Sequence, residues 1–339
     1  MANNTIAILT TNLEFEELVE EAFLKYRSKG FPHYFLTSEE KFKKLTQLRN
    51  YPHSNLIVDG DIIQKMHGLS LAWCYFPHSW SVQCGSMKTP MQVFESDVDF
   101  KRAIGKRLKY GTGRITDAAI RKAVRSYSGA QGVSNFRPTA AAAIYHTYLP
   151  PTGGTVWDMS CGYGGRLLGA IACNHVSRYV GTDPCSPTMT GLQTMARELG
   201  RDGLTIELHK MGSEDFLPER NSFDLCFSSP PYFDTEKYSS ESTQSFLKYP
   251  DKDSWLHVFM GTTLDNCWHG LKSTGHLIVN IANVSSYPTL ESDFVAMACA
   301  RGWELERTLR LALSKMMGTR RAGGESFKYE PVFVFKKKA

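Results

Sequence analysis

The C-terminal part of the chain alternates short apolar strands with amphipathic helices, and this alternation constrains the fold more than any other feature. Five strand-like segments, from GTVWDMS at 154–160 to GHLIVNIANV at 275–284, are separated mostly by segments with helical periodicity. Strands joined by crossover helices pair in parallel. Two last segments, WELERTLRLAL and EPVFVFKKK, look like an antiparallel pair. The sequence therefore predicts an α/β fold with a doubly wound, mostly parallel seven-stranded sheet that ends in an antiparallel strand pair.

The pattern is weaker in residues 1–130. We expect strands in IAILTT and NLIVDG, and amphipathic helices in LEFEELVEEAFLKY and SEEKFKKLTQL. We therefore divide the chain into an N-terminal α+β extension at 1–130 and a second domain at 131–339. Apolar runs of about 18 residues, which a membrane span requires, do not occur in the sequence.

The eight cysteines are scattered and contain no CxxC pair. The N-terminus lacks the basic start and apolar stretch of a secretion signal. Reduced thiols in a cytoplasmic protein are the simplest interpretation. Cys74, His78 and Cys84 lie close together, but their irregular spacing is not that of a zinc site, so we expect no metal.

Positive charge is concentrated in two segments. Residues 101–125 hold nine Lys or Arg against one acid, and residues 307–338 hold nine against two, although the whole chain has a net charge of only +5. Two basic segments on an otherwise acidic chain predict a surface that binds a polyanion. A solvated helix face plus a basic tail is the alternative. The candidates for nucleic-acid contact are Lys106 and Arg107 in the first segment, and Arg320 and Arg321 in the glycine-rich loop 314–328.

A glycine-rich turn at Asp158–Gly165 joins the first strand of the domain to a helix. Glycines allow a tight turn and a close approach of the backbone to a ligand, and the helix N-terminus adds free N–H groups. Asp183 ends the next strand, where a carboxylate can accept both hydroxyls of a ribose. Such a turn alone also occurs in dinucleotide sites, but the spacing here is not GxGxxG.

Together these motifs resemble those of class I S-adenosylmethionine-dependent methyltransferases. By that resemblance, Asp158, Ser160, Gly162 and Gly164 belong to the motif that binds the methionine end of the cofactor, and Asp183 binds its ribose. Ser213 and Glu214, after the third strand, then lie near the adenine. Asn135, Phe136, Arg137 and Pro138 resemble the segment that contacts the cofactor carboxylate in amino methyltransferases, with Arg137 as the charge partner. A plain helix cap is the alternative for this segment.

The run Ser229-Pro230-Pro231-Tyr232 follows the fourth strand, and two prolines there fix a stiff, extended turn. The amino nitrogen of a nucleobase is a poor nucleophile. Two acceptors, the Ser229 side chain and the Pro230 carbonyl, can hold its hydrogens and direct its lone pair. Tyr232 can stack on a base that has left the duplex, and Phe233 can support that stack.

This run resembles the (Asp/Asn/Ser)-Pro-Pro-(Tyr/Phe/Trp) signature of N6-adenine and N4-cytosine methyltransferases, in which serine is more usual among the N4-cytosine enzymes. A carbon-5 methyltransferase would need a cysteine nucleophile after this strand, but Pro184-Cys185 follows the second strand.

The resemblance implies a DNA methyltransferase that uses S-adenosylmethionine and acts on a base flipped from double-stranded DNA, with cytosine N4 favoured over adenine N6. The alternatives are an RNA base amino methyltransferase, a protein glutamine methyltransferase, and a catalytically silent subunit that binds cofactor and DNA. Because no separate recognition domain fits after Tyr232, we expect residues 1–130 and the loop 314–328 to read the target sequence.

Overall fold

The computed structural model describes residues 12–63, 65–111, 113–315 and 327–338. The strands are β1 (Ile57–Val58), β2 (Asp61–Ile62), β3 (Gln83–Cys84), β4 (Gly154–Asp158), β5 (Val176–Thr182), β6 (Thr205–His209), β7 (Phe223–Ser228), β8 (Glu236–Lys237), β9 (Leu271–Asn280), β10 (Trp303–Lys315) and β11 (Phe327–Lys337). The α-helices are α1 (Asn12–Lys29), α2 (Ser38–Arg49), α3 (Leu69–Trp73), α4 (Pro90–Glu95), α5 (Asp97–Tyr110), α6 (Asp117–Arg125), α7 (Pro138–Tyr148), α8 (Gly165–Ala172), α9 (Ser186–Leu199), α10 (Ser245–Lys248), α11 (Gly261–Gly270) and α12 (Leu290–Ala300). Across the described ranges, every helix is too short or too polar to cross a membrane.

The large sheet has the strand order β1-β2-β10-β11-β9-β7-β4-β5-β6. Neighbouring strands from β9 to β6 are parallel, whereas β10 and β11 are antiparallel to each other and β11 is antiparallel to β9. The predicted α/β class, the mostly parallel sheet and the terminal antiparallel pair are therefore confirmed. All seven strands predicted for the second domain are present, and the short hairpin β1-β2, whose first strand lies in the predicted segment NLIVDG, extends the sheet beyond β10. The strand predicted at IAILTT lies outside the described residues.

The chain forms two compact units, of which the second combines residues 35–76 with residues 134–339. The expected boundary near residue 130 matches only the junction at 133/134. Residues 35–76 belong with the sheet because β2 pairs in parallel with β10, and because Arg310 of β10 donates to both carboxylate oxygens of Asp61 at 2.6 and 2.8 Å. Two-residue strands carry too little periodicity for the sequence to reveal this pairing.

Helix α7 of the second unit begins at a start signal in the sequence. Pro138 occupies the first turn of the alanine-rich α7, where a missing N–H costs nothing. Eight residues of this helix are buried, so it packs as a core helix. A π-helical segment at Ser254–Met260 leads directly into α11.

The first unit comprises residues 12–34 and 77–133 of the described chain and is mainly helical. Helices α1, α4, α5 and α6 share a buried core that includes Tyr26, Trp80, Phe100, Ile104 and Ile120. In α5 and α6 the apolar residues recur at helical spacing, which leaves the basic residues of the 101–125 segment on the remaining faces.

Candidate active site

The C-terminal ends of β4, β5, β6 and β7 open onto one cavity. Its volume is about 600 Å³, which includes the solvent-filled opening. This edge of a parallel sheet is where doubly wound folds bind ligands. Each strand end contributes predicted site residues to the lining, namely Ser160 and Gly162 after β4, Asp183 after β5, Ser213 and Glu214 after β6, and Ser229 and Pro231 after β7. The two motifs, 64 or more residues apart in sequence, thus meet at one cavity.

Asp183 is 7% exposed and lines this cavity. Its Oδ2 accepts from the N–H of Gly162 at 2.9 Å and its Oδ1 from the N–H of Cys185 at 3.0 Å. Burial raises the pKa of Asp183 to about 7, although these two hydrogen bonds act in the opposite direction. Each oxygen keeps a lone pair that could accept a hydroxyl hydrogen.

Asp158 is fully buried and does not line the cavity. Its Oδ2 accepts from Arg166 Nε at 2.8 Å and from the Tyr179 hydroxyl at 2.6 Å, and its Oδ1 accepts from the Ser228 hydroxyl at 2.9 Å. Ser228 Oγ in turn accepts from the N–H of Ser160 at 2.9 Å. Asp158 therefore connects the glycine-rich turn to the end of β7, immediately before Ser229.

The glycines of the turn have different surroundings. Gly162 has φ +53° and lines the cavity, and an added Cβ would meet only the Ser160 carbonyl, at 4.0 Å. Gly164 has φ +66°, and a Cβ there would meet Met195 at 2.8 Å. The Cβ position of Gly164 thus faces packed side chains, and its expected place at the methionine end of a cofactor stays a prediction.

Two buried polar groups in the cavity wall lack hydrogen-bond partners among the described residues. Glu214 Oε1 accepts from Lys248 at 2.6 Å and from the Tyr249 hydroxyl at 3.2 Å, but its Oε2 accepts from no described residue. Gln244 is 3% exposed, and its Nε2 likewise has no partner. Ser213 shares a hydrogen bond of 2.8 Å with Thr263. An orphaned acceptor and an orphaned donor in one cavity indicate a ligand with complementary polar groups.

The segment 135–138 packs behind the turn and is not among the described residues that line the cavity. Asn135 Nδ2 donates to the Tyr163 carbonyl at 2.8 Å, and the buried ring of Phe136 meets Phe227 edge-on at 5.3 Å. Arg137 Nη1 donates to the Ala312 carbonyl of β10 at 2.8 Å, and Pro138 starts α7. The Arg137 guanidinium therefore lies against β10, and its expected contact with a cofactor carboxylate stays a prediction.

Ser229 is held by Asn280, which ends the neighbouring strand β9. Asn280 Nδ2 donates to the Pro331 carbonyl at 2.9 Å, which directs its Oδ1 towards Ser229. Ser229 Oγ donates to that Oδ1 at 3.3 Å. With its hydrogen directed to Asn280, the Ser229 oxygen presents lone pairs as an acceptor.

Tyr232 is half-buried, and its hydroxyl lies 3.3 Å from Glu330 Oε2, 3.3 Å from the Asn280 carbonyl and 3.4 Å from Ser229 Oγ. Burial, with Glu330 nearby, keeps the pKa of Tyr232 well above its usual range, and burial also raises the pKa of Glu330. The phenol is therefore a neutral donor anchored to β9 and β11. Pro230, beside it, is buried.

Phe233 is a core residue, and its expected support of a base stacked on Tyr232 stays a prediction. It is 7% exposed and meets Trp255 and Tyr287 edge-on at 6.1 and 6.0 Å. Its backbone has φ +56°, which is unfavourable for a bulky residue and is typical of functional turns.

The other candidates for nucleic-acid contact lie in different parts of the chain. Lys106 is exposed, and its Nζ lies 5.5 Å from the ring centroid of Tyr127, while Arg107 is half-buried on the same helix α5. Arg320 and Arg321 lie outside the described residues.

Several residues of the site were not predicted from the sequence. Thr243, Gln244 and Ser245 line the cavity, and they belong to the polar segment that follows the Ser229–Tyr232 run. Asn280 could have been predicted from the sequence. It is a polar residue at the end of an apolar strand, and Asp183 has the same kind of position.

Comparisons with known proteins found only distant likenesses. No family model matches the chain, and no curated protein matches its sequence. Among solved structures, magnesium protoporphyrin IX methyltransferase from Synechocystis, with bound SAM, is 14% identical at a TM-score of 0.41, over 69% of this chain and 90% of its own. A SAM-dependent methyltransferase from Methanosarcina mazei is 14% identical at a TM-score of 0.38, over 57% of this chain and 97% of its own. At TM-scores below 0.5, these likenesses carry no weight for the fold or the function of this chain.

Proposed function

We propose that this chain is an S-adenosylmethionine-dependent methyltransferase that acts on an exocyclic amino group of a DNA base, with cytosine N4 favoured over adenine N6. One observation carries the proposal: Ser229 and Pro231 of the Ser-Pro-Pro-Tyr run line the same cavity as Gly162 and Asp183. A cofactor bound at the turn after β4 would therefore lie next to an amino group bound at the turn after β7.

The cavity residues fit the cofactor. The buried Asp183 carboxylate suits two ribose hydroxyls. The orphaned Glu214 Oε2 and Gln244 Nε2 suit the amino group and a ring nitrogen of adenine, which are a donor and an acceptor. The apolar lining, which includes Met159 and Phe259, suits the ring and the methionine chain. S-adenosylmethionine would supply an electrophilic methyl group on its sulfonium.

The protein groups then orient the amine. Ser229 Oγ, whose hydrogen is directed to Asn280, accepts one amino hydrogen, and the Pro230 carbonyl accepts the other. Both hydrogens held in this way leave the nitrogen lone pair directed into the cavity. Transfer of the methyl group would break its bond to sulfur and leave the cofactor as a neutral thioether, and the methylated nitrogen would release one of its two hydrogens as a proton to solvent. Catalysis of this kind relies on position and local electrostatics, without a charged general base.

The test is to incubate the full chain and S-adenosylmethionine with duplex DNA, with single-stranded DNA of the same sequences and with RNA, and to identify the modified nucleosides by mass spectrometry. We expect N4-methyldeoxycytidine from duplex DNA. Product from RNA alone would replace DNA with RNA as the substrate. Cofactor binding without any methylated nucleoside would instead favour a silent cofactor-binding subunit.

A further inference from the structure

Residues of the basic segment 101–125 also line a cleft, which belongs to the first unit and is not part of the cavity described above. One face of α6 lines a cleft together with two aromatic residues of the same unit. We call this the α6 cleft and define it by Tyr34, Trp80, Arg121, Lys122, Arg125 and Ser126. We propose that the α6 cleft binds the phosphodiester backbone of a nucleic acid.

Helical spacing concentrates the charge in this cleft. Ala119, Ile120, Ala123 and Val124 form the buried face of α6. Positions 118, 121, 122 and 125 recur at intervals of three and four residues, so they share the opposite face. Three of these four positions are cations, and none of the described residues that line the cleft is acidic.

Arg121 is fixed in a geometry suited to an oxyanion. Its guanidinium carbon lies 4.1 Å from the centroid of the Tyr34 ring, and its Nη1 donates to the Pro32 carbonyl at 2.9 Å. Tyr34 itself stacks on Trp80, with centroids 6.1 Å apart. Because these contacts already hold the guanidinium in place, it can bind phosphate oxygens at little entropic cost.

The acidic residue closest in sequence to these cations, Asp117, is paired with residues outside the cleft. Asp117 opens α6, but its carboxylate accepts from Lys29 Nζ at 2.8 and 2.9 Å and from the Tyr26 hydroxyl at 2.9 Å. On α5, by contrast, Lys101 is already paired with Glu20 at 2.6 Å. The three cations of the cleft therefore have no acidic neighbour among the described residues that line it.

The chemistry of the cleft favours a backbone over a base. Trp80 is only 5% exposed, and one neighbour of the Tyr34 ring is the Arg121 guanidinium, so little aromatic surface is left for stacking. The cleft is open and lined by three cations, which suits an extended chain of phosphates better than a single nucleotide.

The proposal relies on the nucleic-acid partner of the proposed function but not on its catalysis, so it is tested by binding without cofactor. The full chain is titrated into fluorescently labelled duplex DNA at several salt concentrations. Lys122→Gln, at an exposed position, should weaken binding and reduce the slope of log Kd against log salt by about one. Arg121→Lys keeps the charge but removes the planar fork, and it should also weaken binding.

The control is Lys25→Gln, which removes the same charge from an exposed position on α1 outside the cleft and should leave the Kd and the slope nearly unchanged. An unchanged salt slope in Lys122→Gln would overturn the proposal. Displacement of DNA by a mononucleotide at constant ionic strength would also overturn it, because the cleft would then be a small-molecule site. DNA binding through the cleft without methyl transfer would contradict only the proposed function.

Discussion

Asp183 illustrates how one residue can couple ligand binding to pH. Burial raises its pKa to about 7, whereas an aspartate that is exposed to water has a pKa of 3.8. Only the ionised form accepts hydrogens from two ribose hydroxyls through both oxygens. A ligand that donates such hydrogens therefore binds better as the pH rises through 7.

We expect the affinity for S-adenosylmethionine to be roughly tenfold lower at pH 6 than at pH 8, as measured by isothermal titration calorimetry, since about one carboxylate in ten is ionised one unit below its pKa. Asp183→Asn should bind weakly at both values. The raised pKa also means that Asp183 favours the ligand-free folded state most below about pH 4, and that this contribution is lost as the pH rises through about 7. A pH-independent affinity would contradict this account of Asp183.

Asn280 determines which way the Ser229 hydroxyl points. Asn280→Ala removes the acceptor for the Ser229 hydrogen, so the hydroxyl becomes free to rotate and to act as a donor. We expect kcat for methyl transfer to fall by roughly 10- to 100-fold, with an unchanged Kd for the cofactor.

The matched control for Asn280→Ala is Asn283→Ala, an exposed asparagine three residues further on that bonds to the backbone of Glu291. It should keep its kcat. If Asn280→Ala instead weakened cofactor binding and left kcat unchanged, the role of Asn280 as a positioning residue would be refuted.

At the scale of elements, the contact between the segment 135–138 and the glycine-rich turn determines the shape of the site. A Cβ on Gly165, the first residue of α8, would lie 1.8 Å from the Phe136 carbonyl oxygen. Backbone cannot move away cheaply, so Gly165→Ala should destabilise the protein by about 2–3 kcal/mol and lower Tm by roughly 5–10 °C.

Gly105→Ala is the corresponding change in α5, where the closest atom to a new Cβ would be 3.6 Å away. An alanine there should leave the protein equally stable or more stable by about 0.5–1 kcal/mol, because alanine favours helix. Equal melting temperatures for the two variants in differential scanning calorimetry would show that the contact at Phe136 is not rigid.

The sequence predicted the elements well for a physical reason. Each strand of the parallel sheet is a short apolar run, and each is bounded by glycine, proline or a polar residue. The ends of those runs identified Asp183, Ser213 and Ser229, because a polar residue that follows a buried strand lies at the sheet edge. Local patterns could not give the partners of Arg137 or Tyr232, which are carbonyls and carboxylates of β9, β10 and β11.

At the scale of the whole molecule, the site is assembled from segments far apart in sequence. Asp158 and Ser228, 70 residues apart, are joined by one hydrogen bond of 2.9 Å. Tyr232 and Glu330 meet across 98 residues. Likewise, the membership of residues 35–76 in the second unit depends on the pairing of β2 with β10. Contacts of this kind depend on sheet order, which no local pattern specifies.

The central claim is that Ser229 directs an amino group towards a methyl donor held by the turn after β4. Its most direct test is the single-turnover rate of N4-methyldeoxycytidine formation in duplex DNA, measured for the wild type and for Ser229→Ala with saturating S-adenosylmethionine. We predict that the wild type forms the product, and that Ser229→Ala forms it roughly 100-fold more slowly with the same cofactor Kd. Equal rates for the two proteins, or loss of cofactor binding in Ser229→Ala, would contradict the account.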